Sequence, residues 1–539
     1  MFIGANDWLW SEVEQNALPP ASNDKYYYIK SFVNGGKVCC LTPFALGVSA
    51  LVTIEKTILC AYNFFARAKE QKLVTFQDVL KDSSQWKELK EIEQSLESHP
   101  PAMNNPQFLW GTASCTYQDS GYKHCPDSQW HLWEKKTLPL NNQSKQSLDL
   151  YNIYKANPMF IVEQLKKLGV NSYRTSIEWS QIEPKPGKYD SAALKVYIDF
   201  FKCLKENGIE PMVTLHHFSE PKWFHDLGSF EKEQNIRHFV NFASFVYPEL
   251  TSDFKQEPLV KWICTVNEPS IEAFSRYVRG AYSPGEKFNF SKAGAFIQGA
   301  MQAHFTVYKE LKKLNNSPEI KIGFTHQYLK FQAGNPLVIP ATRYLTALIN
   351  ETVLNIFKNK QFSLKVPLMC NQEAAFNAED VKSDFIGVQY YTRPIISLTG
   401  SITQNNEEKM TQMPFREDPA GLYEAVVDTY RATQTPIIVT ENGISTHSDQ
   451  QRNRYMQRAL YSLQQAEQDL PQGAVQGYYQ WSLVDNLEWD LGMKPQAFGA
   501  FAAEVSHDGY KMAETPKPGM TTYQKVLASW NRMHQQQAA

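Results

Sequence analysis

From Gln107 onward the chain repeats one pattern. A short β-branched or apolar run is followed by a longer amphipathic stretch, and this happens eight times. The runs are 108–112, 171–177, 210–215, 259–266, 320–325, 384–388, 437–440 and 474–480. Between them lie segments with helical spacing, such as Met159–Leu168 before Gly169, and Ala192–Asn207 before Gly208. Glycine at those points suits the left-handed residue that ends a helix. Parallel neighbours in a sheet need a crossover, usually a helix, so eight such units predict a parallel α/β fold, the (β/α)8 TIM barrel, over residues 105–533. The connections after the fifth and sixth runs are long, which predicts insertions there.

Residues 1–104 differ in character and predict a helical, partly apolar extension. Val38–Ile54 contains no charge, and Glu55-Lys56 then interrupts it. A spanning helix wants about 20 apolar residues, and Pro43 sits near the start of this run. A helix docked on the main domain is the preferred reading; membrane association through residues 38–66 is the alternative, and a full span fits least well. Asp78–Glu97 reads as a charged helix, and Ser98–Pro106 as a linker or turn cluster. Met1–Pro20 has acidic residues and no basic n-region, unlike a secretory signal.

Composition excludes several function classes. The formal net charge of -2 gives no electrostatic reason to expect nucleic acid. Neither a G-x-G-x-x-G nor a P-loop occurs. Of the 8 Cys, no pair has C-x-x-C spacing with a second pair to match, so no zinc site is expected. They read as free thiols in a reducing compartment, hence a cytoplasmic chain, membrane-associated if residues 38–66 dock on lipid.

In a (β/α)8 barrel the chemistry sits at the C-terminal ends of strands. Two of those ends carry a glutamate: Thr265-Val-Asn267-Glu268-Pro269 after the fourth run, and Val439-Thr440-Glu441-Asn442-Gly443 at the seventh, where Asn-Gly signals a turn. A lone strand-end Glu is ordinarily a solvated helix cap. A pair across one cleft is the equipment of glycoside hydrolysis, one carboxyl protonating the leaving oxygen and the other attacking the anomeric carbon or positioning water. Asn267 beside Glu268 supplies an amide donor, and Pro269 restricts the backbone that follows.

These two segments resemble the signatures of family 1 glycoside hydrolases, the β-glucosidase family. The resemblance extends to Phe108-Leu-Trp-Gly-Thr-Ala-Ser-Cys-Thr-Tyr-Gln118, Asn171-Ser-Tyr-Arg174-Thr-Ser-Ile-Glu-Trp179 and Pro211-Met-Val-Thr-Leu-His-His217-Phe218. It continues at Asp384-Phe-Ile-Gly-Val-Gln389-Tyr390-Tyr-Thr392 and Trp481-Ser-Leu-Val-Asp-Asn-Leu-Glu488-Trp489. It implies a retaining double displacement, with Glu441 as nucleophile and Glu268 as acid/base, about 5–5.5 Å apart. Arg174 would keep Glu441 ionised, Tyr390 would orient it through its hydroxyl, and Asn267 would meet the sugar 2-OH. Gln118 and Glu488 would bind adjacent sugar hydroxyls, His217 and Trp489 would add donors, and Trp481 would lie under the ring. Without the resemblance, His217 reads as a core histidine and Trp481 as core packing.

Glu488 disfavours a 6-phosphorylated sugar, since a second anion would face the phosphate, although Lys494 lies nearby. The resemblance thus implies a small β-glycoside substrate, unphosphorylated, with glucose or galactose as the glycone. It implies no metal and no organic cofactor, since side chains fill both roles. Phe218, Gln389 and Ala497 depart from the family's usual Trp, Asn and Arg, at positions read as rim or supporting ones. A transglycosidase would share every one of these residues. A catalytically silent sugar-binding barrel is the third reading, and it usually lacks one of the two glutamates.

Overall fold

All eight expected strands form, and they close into one ring. The computed structural model describes residues 89–538, except 140–142, 145–146, 399, 402–410, 414, 490 and 507–508. The strands are β1 (Leu109–Ala113), β2 (Ser172–Ser176), β3 (Glu210–His216), β4 (Trp262–Val266), β5 (Lys321–Gln327), β6 (Phe385–Tyr390), β7 (Ile437–Asn442) and β8 (Val475–Trp481). Their order around the ring follows the chain, and β1 closes on β8 in parallel register from Leu109↔Gly477 to Ala113↔Trp481. Closure removes the sheet edges. β1, β2, β6 and β7 are buried at every position, as expected for strands packed on both faces. β4 and β7, whose ends carry Glu268 and Glu441, lie three strands apart in the eight-strand ring.

The helices obey the capping rules read from the sequence. Helix α1 (Leu89–Ser98) leads into the barrel, and α2 (Thr116–Ser120) follows β1. In α3 (Pro158–Leu168), proline occupies the first turn and Gly169 ends the helix at φ 83°. Asp190 caps α4 (Ser191–Glu206) by accepting from the amides of Ala192 and Ala193, and Leu194, Tyr197, Ile198, Phe201 and Leu204 form its buried stripe. Helix α5 (Pro269–Tyr277) follows β4, α6 (Asp449–Asp469) precedes β8, and α7 (Thr521–Ala538) closes the chain. The long connection after β5 holds two further helices and the hairpin Gln361–Val366/Cys370–Ala375.

α1 buries Ile92 and Leu96 and packs against α6 and α7. Of the two readings of Ser98–Pro106, linker or turn cluster, the turn cluster forms, and it is tied down: the Ala102 amide donates to Glu467 at 2.7 Å, and Trp530 Nε1 donates to the Ala102 carbonyl at 3.0 Å. The apolar run 38–54, the proposed membrane segment 38–66 and the first part of the expected helix 78–97 lie outside the described residues. Among the described residues no helix is long and apolar enough to cross a membrane.

Gly443 has a different reason than a turn. It does not adopt positive φ. A Cβ there would lie 2.2 Å from the Trp481 carbonyl oxygen, so only glycine lets the end of β7 approach the end of β8. Gly443→Ala should lower stability by about 1–3 kcal/mol, the usual penalty for overpacking. Chemical denaturation measures it, and an unchanged midpoint would contradict the close approach.

Candidate active site

The C-terminal ends of the strands surround a cavity of about 250 Å³. Glu268 and Glu441 both line it. So do Gln118, His217, Asn267, Trp481, Glu488 and Trp489. Arg174 does not line the cavity but lies fully buried beside Glu441.

Glu441 reaches the barrel axis through an irregularity. The pairing of β7 shifts register against both neighbours near its end, and such shifts re-aim a side chain. One carboxylate oxygen, Oε1, receives Arg174 Nη1 at 2.5 Å and Gln389 Nε2 at 2.7 Å. The other, Oε2, receives the Tyr391 hydroxyl at 2.6 Å. Arg174 also donates to Thr214 Oγ1 and, through Nη2, to Asn267 Oδ1 at 2.7 Å.

Glu268 is the N-cap residue of α5, yet its side chain makes no capping bond. Its backbone sits in the left-handed region at φ 42°, a conformation that costs an ordinary residue about 1–2 kcal/mol. The carboxyl is buried, at 5% exposure, and lines the cavity. Burial pushes both carboxyls up. On Glu441 the rise is opposed by the charge of Arg174 and then by hydrogen bonds from Tyr391 and Arg174. On Glu268 the charge of Glu441 adds to burial and holds the carboxyl well above its ordinary range. The two titrate apart, with Glu441 ionising first.

The tyrosine that touches Glu441 is Tyr391 and not Tyr390. Side chains alternate along β6: Gln389 and Tyr391 face the barrel axis, while the Tyr390 hydroxyl points outward and donates to Asp418 at 2.6 Å. Strand alternation was the signal available in the sequence. Of the two readings of Gln389, rim or supporting, the supporting one holds, since it bonds Glu441 directly and does not line the cavity. Phe218 does line the cavity, and Ala497 stands outside it, its carbonyl accepting from Arg452. The Lys494 side chain lies outside the described residues.

Gln118 Oε1, His217 Nδ1 and Asn267 Nδ2, all on cavity residues, are buried with no hydrogen-bond partner among the described residues. The Gln118 amide spends one of its two Nε2 donors on the Leu487 carbonyl at 2.7 Å, which leaves its Oε1 acceptor and a second N–H. His217 is held well below its ordinary pKa by burial and then by Arg174, so the ring is neutral. Trp489 stacks on Tyr117 with centroids 5.7 Å apart, and Trp481 lies 6.1 Å from the His217 ring.

Gln118 and Glu488 are joined from behind. Asn486, in the hairpin β9 (Asn486–Glu488)/β10 (Gly492–Gln496), donates to Asp119 at 3.0 Å, next to the Gln118–Leu487 bond. Asp119 is fully buried, and burial raises its carboxyl to about 7. The unfolded chain releases that proton near pH 4, so the folded state holds an extra proton between about pH 4 and 7, and stability falls as pH rises through that window. Asp119→Asn removes the effect. From pH 4 to pH 8 the stability difference should move in the variant's favour by about 4 kcal/mol, read from denaturation at each pH. A pH-independent difference would contradict it.

The Glycosyl hydrolase family 1 model matches residues 102–531. A 6-phospho-beta-galactosidase from Streptococcus mutans is 28% identical over 476 residues, covering 78% of this chain and 97% of the relative. Beta-glucosidase 1B from Phanerodontia chrysosporium is 27% identical over 512 residues, covering 82% and 92%. Among solved structures, a beta-glycosidase from Pyrococcus horikoshii superposes with a TM-score of 0.67 at 26% identity, covering 80% of this chain and 96% of the other. With the barrel, the cavity and the two carboxyls at its mouth in place, the family match over residues 102–531 makes this chain a member of Glycosyl hydrolase family 1.

Proposed function

We propose that the chain is a retaining β-glycosidase acting on unphosphorylated β-glycosides, glucosides first. The observation that carries this reading is the electrostatic difference between two buried carboxyls on one cavity. Glu441 is paired with Arg174, and Glu268 is held toward its protonated form by burial and by the charge of its neighbour. In the first step the Glu441 carboxylate attacks the anomeric carbon as Glu268 gives its proton to the departing oxygen, and the carbon–oxygen bond to the aglycone breaks. In the second, Glu268, now ionised, takes a proton from water. The resulting oxygen attacks the anomeric carbon and releases Glu441.

The unpartnered atoms of Gln118, His217 and Asn267 support a polyhydroxylated ligand, because buried polar atoms are normally satisfied. Asn267 Nδ2 is a donor for the 2-OH, a contact that strengthens as the ring flattens toward an oxocarbenium ion. The Streptococcus relative's name raises a phosphorylated glycone as a second reading. Glu488 on the cavity wall argues against it, since a carboxylate facing a phosphate is repelled. A transglycosidase would differ only in the acceptor that enters at the second step.

Nitrophenyl β-glycosides, with and without a 6-phosphate, test these readings on wild type, Glu441→Gln and Glu268→Gln. Wild type should turn over the unphosphorylated glucoside faster than its phosphorylated counterpart. Glu441→Gln should lose turnover on every substrate. Glu268→Gln should retain turnover with good leaving groups and be rescued by azide. Equal residual rates in both variants would overturn the role assignment, and preference for the phosphorylated substrate would overturn the glycone.

A further inference from the structure

We propose that Gln389 is a positioning residue that binds the nucleophile and the 2-OH-binding amide into one rigid unit. The proposal rests on reading Glu441 as the nucleophile. A single amide group, Gln389 Nε2, lies 2.7 Å from Glu441 Oε1 and 2.9 Å from Asn267 Oδ1. Gln389 is fully buried and does not line the cavity, so it acts through these two side chains and not on substrate. Its placement is set by the strand: β6 shifts register against β7 between Val388 and Gln389, bringing Gln389 opposite Glu441.

The two bonds have separate consequences. On Glu441, Oε1 holds two donors, Arg174 and Gln389, whereas Oε2 holds the Tyr391 hydroxyl alone among the bonds described. Oε2 keeps more of its lone-pair density, which makes it the attacking atom, and Gln389 helps fix that choice. On Asn267, Oδ1 accepts from Arg174 Nη2, Thr325 Oγ1 and Gln389 Nε2 at 2.7, 2.8 and 2.9 Å. Three donors on the carbonyl fix the amide, leaving Nδ2, the unpartnered atom, as the end that faces a ligand. Gln389 Oε1 is itself buried with no partner among the described residues. A buried unsatisfied acceptor is destabilising, and a site that tolerates it gains something from the other end of the amide.

Gln389→Met keeps the volume and removes the donor, and Gln389→Leu serves if Met fails to fold; thermal melting checks each. The other ionisable groups near Glu441 stay in place: Arg174 on β2, His217 after β3, Cys264 on β4, Glu268, Tyr391, and Glu488 on β9. Losing a donor to a carboxylate favours its protonated form, so the acid limb of the kcat/KM profile should move up by about one pH unit, a roughly tenfold change in proton affinity. The preference for a glucoside over its 2-deoxy analogue should shrink several-fold, because Asn267 loses one of the three donors that fix its amide. A part in folding alone would lower both substrates equally and leave the acid limb in place. Either readout remaining at its wild-type value overturns the proposal. Titration of 13C-labelled glutamate, with Glu441→Gln assigning the resonance, reads the Gln389–Glu441 bond without turnover. An unshifted resonance also overturns the proposal, whereas wild-type protein inactive on every β-glycoside overturns the proposed function alone.

Discussion

One buried guanidinium holds this site together. Arg174 has no exposed surface, and it binds Glu441 and Asn267 with the two ends of its fork. Removing one partner of a buried ion pair costs about 3–5 kcal/mol because a naked charge is left behind. The more important consequence concerns charge balance. Glu268, Glu441 and Glu488 share the cavity, and Arg174 is the guanidinium paired with Glu441 at its base. A low-dielectric pocket so arranged resists a second ionised carboxyl, and it favours the proton on Glu268, because the hydrogen bonds of Arg174 and Tyr391 go to Glu441. On the proposed mechanism, the position of the arginine decides which carboxyl is the acid and which the nucleophile.

The barrel provides the rigidity this requires. Arg174 comes from β2, Asn267 from the end of β4, Gln389 from β6 and Glu441 from β7, so four strands meet at one hydrogen-bond cluster. Strand hydrogen bonds fix each backbone, and two departures from regularity fix the aim: the register shift near Glu441 and the left-handed backbone at Glu268. Strain of this kind persists where the surrounding structure over-determines it. The hairpin carrying Glu488 is attached more locally, through Asp119–Asn486 and Gln118–Leu487.

Much of this was legible in the sequence because it depends on local pattern. Eight apolar runs gave eight strands, and the glutamates at strand ends fell on one cavity. What escaped depended on which way a side chain points. Tyr390 and Tyr391 are adjacent and chemically identical, and only the alternation of β6 separates the one bonded to Asp418 from the one bonded to Glu441. Gln389 reads as a departure from a pattern until its amide is found between two site residues. One donor of Gln118 is used on a main-chain carbonyl 369 positions away, a contact that no local pattern encodes. Gly443 illustrates the converse: the residue was correctly marked as special, for a turn, when the constraint is the approach of Trp481.

The central claim is that Glu441, ionised by Arg174, forms a covalent bond to the sugar. Incubation with an activated 2-deoxy-2-fluoro-β-glucoside, followed by intact-protein and peptide mass spectrometry, tests it most directly. The account requires the gain of one fluoroglucosyl group, located on the peptide that carries Glu441. Turnover of the parent glucoside with no such adduct, or an adduct on another residue, would contradict it.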